Sequence, residues 1–380
     1  MKPIITFRAN AQKQKGYFEK VLTDDILSDI CFWVTGSKNF EKRILNDTYN
    51  KGRLVCVEFK GVVTYVSLSE TENKGRNSSL QSVPSAINSF YADPRINKKL
   101  AYYFLPHEGN LFTAYHKFMY KLMATAGMHF LNAEANVPRK FNDIYDLIHY
   151  RDANKSKNKA NNSTYITFSS DGKVQIFAKT YGANKYESTL IGIVCATIYS
   201  GPVEIYNICE QDLKTLPESS QKTLRLFSNI KLIDTERSLD RKDFNSSAIQ
   251  LRSPFYLYNL LAKYGAKSCA CCGCPIPEII QGAHIWNVAD IKNDSSLTDE
   301  QKYQYATTAE NGIWLCSNHH KLFDSNILRI DENGCFYFSN LNDSDSQEFA
   351  KKITTQKNLP IDYLTPETIN FIRKRNSLVS

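Results

Sequence analysis

The chain has 380 residues, 42% of them hydrophobic, which allows two or three domains with buried cores. Lysine and arginine number 47 against 39 acidic residues, giving a formal net charge of +8 that permits a polyanionic partner without requiring one. The apolar run at residues 190–199 is too short to span a bilayer, and the first residues lack a secretory signal. We therefore expect no membrane partner and a cytoplasmic location.

Apolar runs and turn residues predict several elements in the first 262 residues. They are a strand pair at 54–59 and 62–68, a helix at 111–123, a strand pair at 164–168 and 174–179, a helix at 187–199 and a strand at 203–208. Both strand pairs are separated by glycine-containing turns and therefore predict hairpins. This order predicts a mixed α/β domain over residues 1–262 and the α+β class for the whole chain.

Helix signals also bracket the C-terminal third. Pro254 predicts a helix start and Gly265 a helix end, so residues 254–264 are expected to be helical. Residues 344–355 and 365–375 are predicted as two further helices, which form a C-terminal tail over residues 341–380. The segment between these helices, residues 263–340, contains the densest group of cysteines and histidines.

Five of the 10 cysteines lie between Cys269 and Cys316. Cys316 and His319 form a C-x-x-H pair, which suits one half of a tetrahedral zinc site. The other half is ambiguous, because Cys269 with Cys272 and Cys271 with Cys274 have the same C-x-x-C spacing. We favour Cys269 and Cys272, since the glycine that follows them suits the positive φ of a knuckle turn. With no position left open for substrate, such a site is predicted to be structural.

Residues 311–324 read N-G-I-W-L-C-S-N-H-H-K-L-F-D, and a G-A-H segment ends at His284. Together they form an ordered triplet of His284, Asn311 and His320 that resembles the HNH endonuclease family, whose motif has the form N-G-(apolar)-x-L-C-x-x-H-H-x-L-F-D. The resemblance covers about residues 266–340. It implies a ββα-metal nuclease module over residues 263–340, with a structural zinc, that hydrolyses phosphodiester bonds of double-stranded DNA.

The resemblance also implies roles for the triplet. His284 is the general base, and His320 binds a divalent ion, Mg²⁺ or Mn²⁺, while Asn311 orients the loop of the base or joins the ligands of that ion. His319 and His320 are adjacent and point about 100° apart on a helix, so one can bind zinc and the other the catalytic ion. The position before the base, which is acidic in many HNH enzymes, is Ala283. Asp290 and Asp324 are therefore further candidates for the ion.

An HNH core contacts mainly the DNA backbone, so sequence specificity is expected to come from residues 1–262. Basic side chains are the candidates, although a solvated surface charge is the simpler interpretation for each. They are Arg139, Lys140, Arg151, Lys155, Lys157, Lys159, Lys179 and Lys185.

A large domain ahead of an HNH module resembles a type II restriction endonuclease, and we expect this function. Two alternatives stay open: a defence nuclease gated by a small nucleotide or a protein, and a zinc-dependent DNA-binding protein without cleavage. Because one HNH site cuts one strand, we expect a homodimer. The C-terminal helices, which are not expected to complete the core, would offer its interface.

Overall fold

The computed structural model of the chain describes residues 1–9, 23–46, 54–68, 83–103, 114–132, 139–153, 164–169, 171–179, 184–209, 216, 218–236 and 254–378. These residues contain twelve α-helices and fourteen strands in mixed order, which confirms the predicted α+β class. The candidates Lys155, Lys157 and Lys159 lie outside the described residues, as does the start of the helix predicted at 111–123.

Six strands form a mixed sheet in the order β2-β1-β3-β4-β5-β6. They are β1 (Ile4–Ala9), β2 (Glu41–Asn46), β3 (Leu54–Phe59), β4 (Val62–Leu68), β5 (Lys98–Tyr103) and β6 (His129–Leu131). The predicted hairpin is β3–β4, where Phe59 pairs with Val62 and the two turn residues have positive φ, 49° and 75°. Positive φ at both positions is the geometry of a type I′ turn.

A second sheet of four strands has the order β10-β9-β8-β7. The strands are β7 (Thr164–Phe168), β8 (Val174–Lys179), β9 (Val203–Cys209) and β10 (Ile230–Glu236). The helices between the strands so far are α1 (Asp24–Thr35), α2 (Val83–Ala92), α3 (Ala114–Thr125), α4 (Ile144–Ala153), α5 (Asn184–Ile198) and α6 (Glu218–Leu224). The predicted strands at 164–168, 174–179 and 203–208 and the predicted helix at 187–199 are all present.

The chain divides into two compact units. The first comprises Met1–Asn154, Ala178–Asn207 and Leu213–Leu232, and the second comprises Lys155–Phe177, Ile208–Asp212 and Ile233–Ser380. One core of the first unit lies between α1 and the six-stranded sheet, where side chains such as Ile5, Leu27 and Val57 are fully buried. All the residues of the predicted nuclease module belong to the second unit.

The C-terminal elements are continuous from residue 254. They are α7 (Pro254–Tyr264), β11 (Ile280–His284), α8 (Val288–Asn293), α9 (Asp299–Thr307), β12 (Gly312–Cys316), α10 (Ser317–Asp324), β13 (Leu328–Ile330), β14 (Phe336–Phe338), α11 (Ser344–Ile353) and α12 (Pro366–Ser377). Strands β11 and β12 pair antiparallel, with Ile280 opposite Cys316 and His284 opposite Gly312, and α10 follows β12 directly. This gives the two strands and the helix of a ββα unit.

Helix α7 packs closely on the β11–β12 pair, and two glycines allow the approach. A Cβ atom at Gly282 would lie 2.7 Å from the Leu260 side chain, and one at Gly312 would lie 2.5 Å from the Tyr256 hydroxyl. A Cβ atom at either position would force these α7 side chains to shift, so the two glycines allow the observed packing. Helix α7 is therefore part of the ββα unit's packing, although it precedes the cysteine segment.

Helix α12 also belongs to this core. Its cap is Thr365, whose hydroxyl accepts from the Thr368 backbone at 3.2 Å, and Phe371 and Ile372 are only 3% and 1% exposed. The Phe371 ring lies 5.4 Å from that of Tyr305. The expectation that the C-terminal helices do not complete the core is therefore wrong for α12, because its apolar face is buried there.

No helix among the residues that the structure describes combines the length and hydrophobicity needed to cross a bilayer.

Candidate metal centre and active site

Four predicted ligands meet in the second unit. The ligand atoms of Cys269, Cys272, Cys316 and His319 all lie within 4.8 Å of one another. The Nδ1 atom of His319 is 3.0 Å from the Cys316 sulfur and 3.5 Å from that of Cys269. Three sulfurs and one imidazole nitrogen gathered in this way suit a tetrahedral metal site with every position filled by protein. The group can therefore hold a structural metal ion.

The backbone of the first pair has the form of a knuckle. The amide of Gly273 donates to the Cys269 carbonyl at 2.8 Å, and Gly273 has a φ of +66°. This is the left-handed conformation for which the sequence analysis favoured Cys269 and Cys272 over Cys271 and Cys274. The structure gathers Cys269 and Cys272, and not the alternative pair, with Cys316 and His319.

Cys271 has a different place beside this group. Its side chain is fully buried, and its hydrogen bond to the Cys269 thiol lowers the pKa of Cys269, whereas burial raises the pKa of Cys272 and of Cys316. A lowered pKa favours the thiolate form, which is the form that binds metal. Cys271 thus supports the ligand set without joining it.

The C-terminal segment supports the metal group from a second side. The Nε2 atom of His319 lies 3.0 Å from the Thr354 hydroxyl, while its Nδ1 faces the cysteines. The amide of Gln356 donates to the Cys271 carbonyl at 2.9 Å. A hydrogen bond on the outer nitrogen of a ligating histidine fixes its ring orientation. Thr354 was not identified from the sequence, because its contact spans 35 positions.

His284, the predicted base, is the last residue of β11 and is held on two sides. Its Nε2 lies 2.9 Å from the Ala306 carbonyl, and its ring stacks on Tyr256 with centroids 3.8 Å apart. A carbonyl only accepts, so Nε2 carries the proton and the lone pair of the neutral imidazole is on Nδ1. The Tyr256 hydroxyl donates to the carbonyl of Ala283, at 2.9 Å, which fixes the preceding residue.

Asn311 is fully buried just before β12. Its amide oxygen accepts from the Trp286 amide at 2.7 Å, and its amide nitrogen donates to the carbonyls of Trp286 and Tyr305 at 3.0 and 2.9 Å. These bonds tie the segment after His284 to the end of α9. Of the two roles that the resemblance implies, they favour orientation of the loop over binding of the catalytic ion.

His320 lies on α10 beside His319 of the metal group, and its partner is different. Its Nε2 is 3.7 Å from a carboxylate oxygen of Asp324, one turn along the helix. The two adjacent histidines thus have separate surroundings, as their positions on a helix predict. Imidazole and carboxylate ligands on one helix face, with Asp324 half exposed, leave coordination positions for water and substrate, which suits a catalytic divalent ion.

Arg375 of α12 reaches the same region and was not identified from the sequence. Its guanidinium is buried, and burial lowers its pKa to about 10. It donates to the backbone carbonyls of Ile285 and Phe323, and its Cζ lies 3.8 Å from the Phe323 ring centroid. No local motif indicates such a residue, since it lies 90 positions from one of its partners.

The predicted DNA-contacting residues have mixed outcomes. Arg139 and Lys140 are exposed. Arg151 is buried in α4, where it forms an ion pair with the buried Glu187 at 3.1 Å and lies over the Phe118 ring. This burial argues against a DNA contact by Arg151, because its charge is already paired with Glu187 inside the first unit. Lys179 ends β8 and Lys185 lies in the first turn of α5, but their side chains lie outside the described residues.

Comparison with known protein families agrees with this geometry. Residues 269–331 match the family model of the HNH endonucleases. The chain therefore carries an HNH endonuclease domain near its C-terminal end, and the match includes the metal group and the triplet of His284, Asn311 and His320. Helices α7 and α12 lie outside the matched residues. No curated protein matches the chain.

Proposed function

We propose that this HNH nuclease is a sequence-specific DNA endonuclease of the type II restriction kind. The observation that carries the nuclease part is the surroundings of His284 within the matched domain. Its Nε2 donates to the Ala306 carbonyl, so the basic nitrogen is Nδ1. A neutral histidine with a fixed tautomer is suited to accept a proton from an attacking water.

In this mechanism each side chain has one role. His284 takes the proton of the water, the Ala306 carbonyl and the Tyr256 ring hold its imidazole, and Asn311 fixes the segment that follows it. His320 and Asp324 would hold the divalent ion. When bound, that ion stabilises the negative charge that develops on the phosphate and on the leaving oxygen.

The metal group of Cys269, Cys272, Cys316 and His319 has no part in the chemistry. We propose that it holds zinc, because three sulfurs and one imidazole are a typical zinc ligand set. It connects the knuckle before β11 to the start of α10, which bears His320. Zinc therefore keeps the helix of the catalytic histidine in place.

Sequence specificity is assigned to the first unit. An HNH core contacts mainly DNA phosphates, which are the same in every sequence. Another surface of the protein is therefore needed to distinguish one DNA sequence from another. The exposed side chains of Arg139 and Lys140 support the presence of such a surface on this unit. A dimer would cut both strands of a two-fold site. Since α12 is buried in the core, α11, where Phe349 is 60% exposed, remains the candidate for the dimer contact.

Digestion of plasmid DNA with Mg²⁺ or Mn²⁺ and no other cofactor tests the proposal, followed by sequencing of the product ends. Fragments with fixed end sequences are expected. Random ends would contradict the restriction function while leaving the nuclease. Cutting only after a small nucleotide is added would favour a gated defence nuclease, and binding without cutting would favour a non-catalytic protein. Light scattering of the DNA complex tests the dimer, which one chain per duplex would contradict.

A further inference from the structure

The residues of the proposed reaction lie on two separate elements. His284 ends strand β11, whereas His320 and Asp324 lie on helix α10. Hydrolysis requires the base and the ion-binding side chains at a fixed separation, because a displacement of about 1 Å can slow a reaction about 100-fold. A contact that holds the two elements together therefore affects the rate directly.

Arg375 makes such a contact. Its Nη1 donates to the carbonyl of Ile285 at 2.9 Å, and Ile285 directly follows the base. Its Nη2 donates to the carbonyl of Phe323, next to Asp324, and to Oδ1 of Asn326 at 2.8 Å. One planar group thus joins the segment after His284 to the end of the helix that bears His320.

We infer that Arg375 is a positioning residue of the nuclease, which sets the separation between the base His284 and the ion-binding pair His320 and Asp324. The inference rests on the proposed function. It places a determinant of the reaction on helix α12, outside the residues that match the HNH family model.

The acceptors themselves are well fixed, as this role requires. Asn326 has a φ of +57°, and its own carbonyl accepts from the Ser339 hydroxyl at 2.9 Å and from Arg329 at 3.3 Å. The Phe323 side chain, fully buried, lies under the guanidinium. Because the Phe323 carbonyl and the Asn326 side chain are fixed in place, Arg375 can hold the segment after His284 at a fixed distance from the end of α10.

The chemistry also requires arginine. A guanidinium presents donors in a rigid planar fork, whereas a lysine ammonium is a single point of charge on a flexible stem. Lysine at position 375 would keep the charge near Asp290 and Asp324, which both act on Arg375 electrostatically. It could not bond the Ile285 and Phe323 carbonyls in the same geometry. The variant Arg375→Lys therefore distinguishes the effect of the hydrogen-bond geometry from the effect of the positive charge.

The test compares Arg375→Lys with Arg373→Ala in the full chain. Arg373 lies on the same helix, is 60% exposed and pairs with Glu332, so its replacement controls for removal of a basic residue nearby. The cleavage rate at saturating DNA, the Kd for DNA, the zinc content and the melting temperature are measured. We expect the Arg375→Lys rate to fall about 10- to 100-fold with Kd and zinc content nearly unchanged, and Arg373→Ala to resemble the unmodified protein.

A second variant covers the case in which Arg375→Lys does not fold. Asn326→Gly removes one acceptor of Arg375 and tolerates the positive φ of this position. We expect a smaller loss of rate, about fivefold, again without a change in Kd, because two of three bonds remain.

The outcomes separate this inference from the proposed function. No cleavage by the unmodified protein would overturn the proposed function and the inference with it. Equal cleavage by His284→Ala would overturn the assignment of His284 as the base, and the inference with it, but would leave the nuclease function. His284-dependent cleavage that Asn326→Gly and any folded Arg375→Lys protein retain at full rate would overturn the inference alone. A loss of rate matched by an equal loss of DNA affinity would assign Arg375 to binding and would also overturn it.

Discussion

The HNH domain and the first unit use their charged and polar side chains in opposite ways. In the domain, the metal group gathers three sulfurs and one ring nitrogen within 4.8 Å of one another, where they can hold an ion. In the first unit, Arg151 pairs with Glu187 inside the core, and Arg95 forms a fork with Asp93, which also accepts from Tyr65. In these pairs the charges of the basic side chains are neutralised by carboxylates of the same unit. A basic residue in a polar stretch is therefore weak evidence for a DNA contact until its burial is known.

The largest expected effect is on the chemical step. His284→Ala should slow cleavage by about 100- to 10,000-fold or more, because it removes the base. DNA affinity and zinc content should stay normal, because neither depends on this imidazole. Cleavage assays with gel-shift binding and metal analysis measure all three. Near-normal cutting would show that the domain uses another base.

Removal of a metal ligand should be the next largest effect and should remain within the second unit. Cys272→Ser or Cys316→Ser should lose the single zinc per chain and unfold the HNH domain, since such sites contribute to folding directly. Cys274→Ser is the matched control, because Cys274 lies outside the ligand group. Metal analysis and limited proteolysis measure the outcome. Zinc loss and unfolding of the HNH domain in Cys274→Ser would show that the other cysteine pair, Cys271 and Cys274, binds the ion.

The adjacent histidines allow a sharper comparison within one helix turn. His320→Ala should lose at least about 10- to 100-fold in activity at a given Mg²⁺ concentration, the loss typical when a residue that supports a metal ligand is removed, while keeping its zinc. His319→Ala should instead lose zinc. Cleavage rates over a range of Mg²⁺ and Mn²⁺ concentrations, with zinc analysis, distinguish the two. Zinc loss in both variants would mean that the histidines do not serve separate ions.

In the first unit, the buried ion pair of Arg151 and Glu187 predicts that a substitution changes protein stability rather than DNA affinity. Arg151→Ala should lower the free energy of unfolding by about 3–5 kcal/mol, because it leaves the Glu187 carboxylate buried without its partner. Chemical denaturation monitored by circular dichroism measures this change. An unchanged midpoint, with weakened DNA binding, would restore Arg151 as a DNA contact.

The smallest expected effect is at the exposed candidates. Replacing Arg139 and Lys140 by alanine should reduce the slope of log Kd against log salt by about one for each phosphate that these side chains neutralise in the unmodified protein. The same double variant should leave stability within about 0.5 kcal/mol, as for most surface changes. DNA binding titrated at several salt concentrations provides the measurement. An unchanged slope would place the DNA surface elsewhere.

The predictable parts of this molecule are those whose chemistry is local in sequence. The Cys-x-x-Cys and Cys-x-x-His pairs and the helix at His319 and His320 could be placed because ligand spacing along the chain fixes them. The hairpin at Lys60 and Gly61 followed from turn chemistry in the same way. The ligand spacing and the hairpin turn depend only on residues that are close in sequence, not on contacts with distant segments.

The remainder depends on contacts between distant segments. Nothing adjacent to Arg375, Tyr256 or Thr354 in sequence indicates the site, since their partners lie 27 to 90 positions away. The buried position of Arg151 was missed for the same reason, because its partner Glu187 is 36 positions along the chain. Without knowledge of tertiary packing, such residues look like ordinary helix positions.

The glycines at 282 and 312 have a consequence for the search for related proteins. Each lies where an added methyl group would collide with α7, and they occur two residues before the base and directly after the asparagine of the triplet. A diverged sequence that keeps both glycines, together with an aromatic residue about 28 positions ahead of the base as Tyr256 is here, should share this docked helix. A sequence with larger residues there should have displaced it. The two glycines thus allow HNH proteins to be grouped by the presence of a helix like α7 packed on the strand pair, a feature that lies outside the motif itself.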